Sequence, residues 1–183
     1  MNEMATRGPY GTLREPGTLW IERSLPGTVD RVWQYLTDSE LRSRWLAAGE
    51  MTLEVGAPFE LVWRNDTLTS PPGTRPDGFG PEHRMQCRIT ELDPPIRIGF
   101  TWGEAANVQI SLKQSGERVL LTLVHRGLVD RAVMLNVSAG WHAHLDVLLA
   151  RASGHEPSPF WDGWIALKQD YDARLPALPG SSV

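Results

Sequence analysis

Three histidines are the residues of this sequence best suited to chemistry. His125 ends a stretch of alternating apolar residues, and His142 and His144 follow in a segment with helical spacing. Imidazole titrates near neutral pH, so a histidine in a pocket could exchange protons with an enolisable aromatic or polyketide substrate. The alternative for His125 and His144 is a structural role, in which a buried ring is held by hydrogen bonds. The sequence leaves both interpretations open.

Metal and nucleophile chemistry are less well supported by the residue spacing. On a helix, His142 and His144 would point about 200° apart around the axis and could not bind one ion together. Zinc needs three or four convergent ligands, and no other residues are spaced to help, so we predict no metal and no cofactor. Cys87 could act as a nucleophile if it met His125. A free cysteine is more often a small, buried, apolar residue.

Eight tryptophans distinguish this chain from an average composition. Trp33 and Trp45 lie in a stretch that predicts two short helices. Thr28 can cap the first helix, in which apolar residues recur at the spacing of one buried face. Thr37 and Glu40 match the capping box that starts the second helix. Both indoles are therefore expected to point inward.

Alternating apolar residues predict about seven strands, joined mostly by short turns into a meandering antiparallel sheet. The predicted strands cover residues 19–25, 51–55, 59–63, 85–89, 98–102, 108–112 and 119–125. Residues 64–82 are too rich in proline and glycine for regular structure and are long for a hairpin connection. This segment is predicted to be a lid, an interface or a mobile loop.

Two helices are predicted after the strands. The longer one begins around Gly140, carries an apolar stripe that includes Leu145 and Leu148, and ends at Gly154, where glycine favours a helix C-terminus. A stripe of this width would cover the concave face of a sheet. The final helix is predicted over residues 160–175, before two prolines close the chain.

The chain of 183 residues is expected to form one domain. We predict a flexible N-terminal tail over residues 1–17, a single domain over residues 18–175 and a C-terminal tail over residues 176–183. The net charge of -4 argues against a broad basic face for nucleic acid. No apolar run approaches the ~20 residues of a membrane span, no leader pattern is visible, and the single cysteine cannot form an internal disulfide. These features predict a cytoplasmic protein that binds neither nucleic acid nor membranes.

Short motifs occur in a characteristic order along the chain. They are Ile21-Glu22-Arg23-Ser24-Leu25-Pro26, Val32-Trp33, Leu36-Thr37-Asp38, Trp45-Leu46, Asp93-Pro94-Pro95, Thr101-Trp102, the run from Leu121 to Leu128, and Gly140-Trp141. In this order they resemble the AHSA1-like SRPBCC proteins, the branch of the START and Bet v1-like superfamily named after the activator of Hsp90 ATPase. The resemblance implies an α+β helix-grip fold: strand, two short helices, six strands and a long C-terminal helix, here with an extra terminal helix.

The resemblance also implies an apolar pocket between the curved sheet and the long helix. Members of the superfamily include ligand carriers, aromatase and cyclase enzymes, and co-chaperones, so the fold alone does not select a function. We expect first the binding of a hydrophobic or aromatic small molecule in this pocket. The residues predicted to surround it are Trp33, Trp45, Trp63, Phe100, Trp102, Leu121, Leu123, His125, Trp141, His144, Leu145 and Leu148.

Two other functions remain open at this point. One is a cyclase-like or aromatase-like enzyme that uses His125 or His144. The other is a co-chaperone or interaction module, for which the family name suggests Hsp90, a partner that we rank below a small molecule. The 64–82 loop and the helix with Trp161 and Trp164 could join two copies of the chain, or they could reshape the pocket.

Overall fold

The computed structural model describes residues 8–177, and its α+β fold is the predicted helix grip. Within these residues seven strands form one curved antiparallel sheet. The strands are β1 (Thr12–Glu15), β2 (Thr18–Pro26), β3 (Pro58–Trp63), β4 (His83–Asp93), β5 (Arg97–Trp102), β6 (Ala106–Ser115) and β7 (Arg118–Arg126). They lie side by side in the order β1-β2-β7-β6-β5-β4-β3, so each of the last five pairs with its neighbour in sequence.

Four α-helices lie within the described residues. They are α1 (Val29–Thr37), α2 (Ser39–Ser43), α3 (Arg131–Ala152) and α4 (Phe160–Arg174). In this part of the chain, no helix has both the length and the apolarity needed to cross a membrane.

The core lies between the sheet and α3. Leu121 and Leu123 of β7 and Leu145 and Leu148 of α3 are all completely buried. Each such side chain contributes about 1.5–3 kcal/mol to folding through its burial. The apolar stripe predicted for the long helix therefore forms one side of the core, as expected.

The N-terminal part of the fold begins earlier than predicted. Within the predicted tail, residues 12–15 form β1 and pair with β2. Just before this strand, the backbone N–H of Gly11 donates a hydrogen bond to the Tyr171 hydroxyl at 2.7 Å. A four-residue edge strand carries too little alternation to be visible in a sequence. Residues 1–7 of the predicted tail, and residues 178–183 of the C-terminal one, lie outside the described residues.

The predicted strand over residues 51–55 is wrong. No strand forms there, and the side chains of Leu53 and Val55 are exposed. The position beside β3 is instead taken by Ala48, which exchanges two backbone hydrogen bonds of 3.0 Å with Val62. The predicted number of seven strands still agrees with the structure, because the unpredicted strand β1 offsets the predicted strand that does not form.

The long helix begins at Arg131, well before the predicted start around Gly140. The Asp130 carboxylate caps it by accepting a hydrogen bond from the Val133 N–H at 3.0 Å. The sequence did not indicate this start, because the apolar residues in the first turns of α3 do not repeat with the simple spacing of the stripe that contains Leu145 and Leu148. The final helix ends at Arg174, close to the predicted boundary.

The cap of the second short helix is also shifted by one residue. Asp38, and not Thr37, caps α2, because its carboxylate accepts a hydrogen bond from the Leu41 N–H at 2.9 Å. The Thr37 hydroxyl donates instead to the Trp33 carbonyl at 2.9 Å, which keeps Thr37 in the last turn of α1. The predicted bend between two short helices is confirmed.

Candidate functional site

The space between the sheet and α3 has a packed end and an open end. The packed end lies beside α1 and α2, where Trp45, Phe59 and Phe100 leave a void of only about 10 Å³. The open end lies between β3, β4, β5, α3, α4 and the loop around Phe79, and it holds a cavity of about 400 Å³. Only the second space is large enough for an organic molecule.

Seven aromatic rings dominate the lining of the cavity, and they fall into two groups. We call Trp63, Trp102 and Trp141 the sheet-side wall. We call Phe79, Phe160, Trp161 and Trp164 the helix-side wall. The remaining lining residues are Leu46, Asn65, Gly78, Gly80, Glu82, His83, Met85, Asn136, Val137, Gly140 and His144.

The sheet-side wall is a continuous set of ring contacts. The Trp102 ring lies 5.5 Å from Trp63 and 5.3 Å from Trp141, measured between centroids. Behind it, the Trp141 indole N–H donates a hydrogen bond of 3.0 Å to Nδ1 of His125. Since edge-on and tilted ring pairs are favourable and the indole N–H is satisfied, this wall is held in a fixed position.

The helix-side wall is formed by α4 and the 64–82 loop. Phe79 of the loop packs on both indoles of α4, at 5.2 Å from Trp161 and 5.1 Å from Trp164. Trp161 is anchored twice, because its indole N–H donates to the Asp66 carboxylate at 2.8 Å and its backbone N–H donates to the Pro72 carbonyl at 2.9 Å. The loop and α4 thus form one wall together.

Among the described lining residues, His144 is a buried polar side chain, while Asn65 and Asn136 are half-buried with unpaired Oδ1 atoms. Nδ1 of His144 lies 2.8 Å from the carbonyl oxygen of Trp45, and its ring packs on Phe160 with centroids 4.7 Å apart. Burial lowers the pKa of His144 to about 4. The imidazole is therefore neutral at physiological pH.

His125 does not line the cavity. It is fully buried behind Trp102 and Trp141, and burial lowers its pKa to about 3. Since Nδ1 accepts the hydrogen bond of Trp141, the ring proton of the neutral form is on Nε2. His125 acts here as a support for the sheet-side wall.

His142 does not line the cavity and is buried elsewhere in the fold. Its Nδ1 is 2.9 Å from the Tyr171 hydroxyl, its Nε2 is 3.4 Å from the Asp146 carboxylate, and Tyr10 packs edge-on against its ring. Burial, followed by the charge of Arg23, lowers the pKa of His142 to about 3. The N-terminal segment and α4 together bury this residue.

The described residues contain no group of three or more histidine, cysteine, aspartate or glutamate side chains placed to hold a metal ion. Cys87 is buried, and burial raises its pKa to about 12. Its thiol therefore stays protonated at neutral pH and is a poor nucleophile.

The structure brings four of the predicted site residues to the cavity: Trp63, Trp102, Trp141 and His144. The other predicted residues do not line it and are buried in the core. These are Trp33, Trp45, Phe100, Leu121, Leu123, His125, Leu145 and Leu148. Periodicity predicted correctly that they point inward, but it does not show which end of the interior they reach.

Sequence reasoning missed the helix-side wall as a set of lining residues. The sequence places Trp161 and Trp164 on the final helix, but it does not decide whether this helix and the 64–82 loop form an interface or part of the pocket. The available signal was the three-residue spacing of the two indoles after Phe160, which puts large rings on neighbouring positions of one helix.

A carboxylate at the rim of the cavity is already neutralised by arginines. Glu82 accepts hydrogen bonds from Arg84 at 2.7 Å and from Arg64 at 2.9 Å. The hydrogen bond from Arg84 has the largest effect, and together with the bond from Arg64 it lowers the pKa of Glu82. Within the described residues, no lysine or arginine side chain lines the cavity itself.

A curved antiparallel sheet that grips a long helix, with an apolar cavity at one end, defines the helix-grip class. The family model described as "Activator of Hsp90 ATPase homolog 1-like protein" matches residues 26–152, and the chain belongs to this family. The matched region extends from the end of β2 to the end of α3. The final helix, which supplies most of the helix-side wall, lies beyond it.

Solved structures share this fold. The protein encoded by gene BPP1335 of Bordetella parapertussis is 36% identical, with a TM-score of 0.76, and the match covers 93% of this chain and 92% of that one. CalU16 of Micromonospora echinospora is 21% identical, with a TM-score of 0.62 and coverage of 85% and 86%. DynU16, from the dynemicin biosynthetic locus, is 18% identical, with a TM-score of 0.63 and coverage of 80% and 51%. A search of curated proteins gave no match to this chain.

Proposed function

We propose that this protein binds a neutral aromatic small molecule between the sheet-side and helix-side walls. The observation that supports this most directly is the cavity of about 400 Å³ with seven aromatic rings around it. Small-molecule sites are concave, mostly apolar, and typically ~300–1,000 Å³ in volume. Two facing aromatic walls suit a flat, ring-containing ligand, because such a ligand can stack or pack edge-on against several rings.

The preference for a neutral ligand follows from the charges around the cavity. An anionic ligand would lose its hydration on entry, and no lysine or arginine among the described lining residues would compensate for this loss. A cationic ligand would find one carboxylate, Glu82, which is already bound by Arg64 and Arg84. A neutral ligand avoids both costs.

Gly140 provides a direct test of this proposal. It lies in α3 and lines the cavity, and a Cβ placed on it would meet only the Trp164 indole nitrogen, at 3.9 Å. We expect Gly140→Leu to fill the space between the walls and to weaken the binding of 2-naphthol or 2-methoxynaphthalene at least tenfold. Calorimetry of the wild-type protein and the variant would measure this change.

A matched control is available on the final helix. Gly163 of α4 does not line the cavity, and a Cβ there meets nothing within 4 Å. Gly163→Leu should therefore keep the wild-type affinity for both probes. Equal affinities for the two leucine variants, or the absence of binding of either probe to the wild-type protein, would contradict the proposal.

A second candidate is an acid–base enzyme of the cyclase or aromatase kind, and His144 at the cavity is the observation that favours it. Its pKa of about 4 makes it a weak base, so we rank catalysis below binding. His125, the other predicted catalytic residue, does not line the cavity. The homodimer and the Hsp90 partnership stay predictions, and the binding proposal does not depend on them.

A further inference from the structure

We propose that His144 selects ligands that carry a hydrogen-bond donor, such as a phenolic hydroxyl or an aromatic N–H, by accepting that hydrogen at Nε2. This inference rests on the proposed function and names the chemical class of its ligand: hydroxylated or amino-substituted aromatic molecules. Three properties of the His144 ring support it: its tautomer, its fixed position and an Nε2 atom that is free to accept a hydrogen bond.

The tautomer of His144 follows from its partner. Nδ1 lies 2.8 Å from the carbonyl oxygen of Trp45, and a carbonyl oxygen can only accept a hydrogen bond. The ring proton must therefore be on Nδ1. In a neutral imidazole the other nitrogen, Nε2, is then an acceptor and cannot donate.

The position of the ring is fixed by buried neighbours. Trp45 is completely buried, and its own indole N–H donates to the Tyr35 carbonyl at 2.9 Å, which holds the backbone that binds His144. On its other side the imidazole packs on Phe160, with centroids 4.7 Å apart. His144 itself is part of the long helix α3. An acceptor held in this way loses little freedom when a ligand binds, which favours specific recognition.

Nε2 of His144 is available to accept a hydrogen bond from a ligand. Among the described residues, no side chain or backbone group forms a hydrogen bond with Nε2, while the residue lines the cavity. A ligand that covers this nitrogen without offering a donor removes it from water and leaves it unpaired. Leaving such a buried group unpaired weakens binding by about tenfold. A donor on the ligand avoids this cost and adds a hydrogen bond.

His125 is not an alternative for this role. Its Nδ1 already accepts the indole N–H of Trp141, and its ring lies behind the sheet-side wall. His83 is the other histidine of the lining, at the rim, where its ring packs on Trp63. His83 itself is exposed at the start of β4, so its ring is less enclosed than that of His144.

The test uses two probes of nearly the same shape. 2-Naphthol carries a hydroxyl donor, and in 2-methoxynaphthalene a methyl group replaces the hydroxyl hydrogen. We expect the wild-type protein to bind 2-naphthol about tenfold more tightly, as measured by calorimetry, which corresponds to one hydrogen bond. In His144→Asn the amide can still donate to the Trp45 carbonyl, while the Nε2 acceptor is lost. The ratio of the two affinities should then fall to about one, because neither probe then covers an unpaired Nε2 or receives a hydrogen bond from it.

His83→Asn is the matched control and should keep the tenfold ratio. A loss of the ratio in His83→Asn, or its survival in His144→Asn, would overturn the assignment to His144. Equal wild-type affinities for the two probes would overturn the selectivity while leaving the proposed binding function intact. Failure of both probes to bind would contradict the binding function itself.

A measurement on the wild-type protein gives the result even if His144→Asn does not fold. In nitrogen-15 NMR of the imidazole, we expect Nδ1 to be protonated and Nε2 to be unprotonated, and the Nε2 resonance to shift towards the hydrogen-bonded range when 2-naphthol is added. A proton on Nε2, or an Nε2 resonance that does not shift at saturating 2-naphthol, would overturn the proposal.

Discussion

The two ends of the interior use the same kinds of side chain in opposite ways. At the packed end, Trp45 and Phe100 fill the space between α2 and the sheet and leave about 10 Å³. At the open end, Trp102 and Trp164 belong to two walls that enclose about 400 Å³. Aromatic content alone therefore does not distinguish a core from a cavity. What differs is how much of the space between the sheet and the helices the side chains fill.

The second wall explains why the open end stays open. Phe79 and Trp161 pack on each other, and Trp161 donates hydrogen bonds to Asp66 and Pro72 of the 64–82 loop. These contacts hold both rings in the helix-side wall. Most of this wall comes from α4, which lies after the family-matched region of residues 26–152. The shared fold thus supplies the sheet-side wall, while the segments outside or between its motifs determine the shape of the cavity.

A pair of phenylalanine variants tests the contrast between the ends, and the expected effect is the largest. Phe100 at the packed end is 5% exposed and packs edge-on against Phe59. Phe79 at the open end is 39% exposed. We expect Phe100→Ala to lower the free energy of unfolding by about 3–5 kcal/mol, because it leaves a cavity in a filled core. Phe79→Ala should cost about 1 kcal/mol, since more than a third of Phe79 is already exposed to solvent.

Urea denaturation of both variants would provide these two values. The comparison depends on their difference and not on either value alone. Losses of similar size would show that the two ends are packed alike, and the distinction between them would then be wrong.

Acid should weaken the fold through its buried neutral histidines. The pKa of His144 is lowered to about 4, so the stability that its neutral form contributes is fully present above the unfolded pKa of about 6.5. It is lost as the pH falls from there towards 4, because the unfolded chain then binds a proton that the folded chain does not. Between pH 7 and pH 5 the contribution of this one residue falls by about 2 kcal/mol.

Urea denaturation at both pH values measures this effect. His144→Asn should lose about 2 kcal/mol less than the wild-type protein over the same interval, which isolates the histidine from the carboxylates that also titrate. The same pH dependence in both proteins would mean that His144 is protonated, or exposed, in the folded state. Its assignment as a neutral acceptor would then fail.

The sequence was a good guide to the fold for a physical reason. Strand and helix periodicity report which side chains face inward, and this information was correct for Trp33, Trp45, Leu121 and Leu145. Periodicity also misled once, because Met51 to Val55 alternates like a strand while Ala48 takes the place beside β3. Alternation shows that a segment could cover an apolar surface, but not that a partner strand is available.

The site was less accessible to sequence reasoning. Whether an inward-facing ring reaches the packed or the open end depends on contacts between residues far apart in the chain, such as Phe79 with Trp164. The hydrogen bond between His144 and the Trp45 carbonyl is of the same kind. The sequence therefore indicates His144 as a candidate, while its tautomer and neutral state require the fold.

The central claim is that a ligand binds between the two aromatic walls. Isotope-filtered NMR of the complex with 2-naphthol tests it most directly, by detecting which indole protons lie close to the ligand. We predict contacts to the rings of Trp102 and Trp164, and none to those of Trp45 at the packed end and Trp33 on α1. Contacts confined to Trp33 or Trp45, or no contact with any of the four rings, would contradict the account.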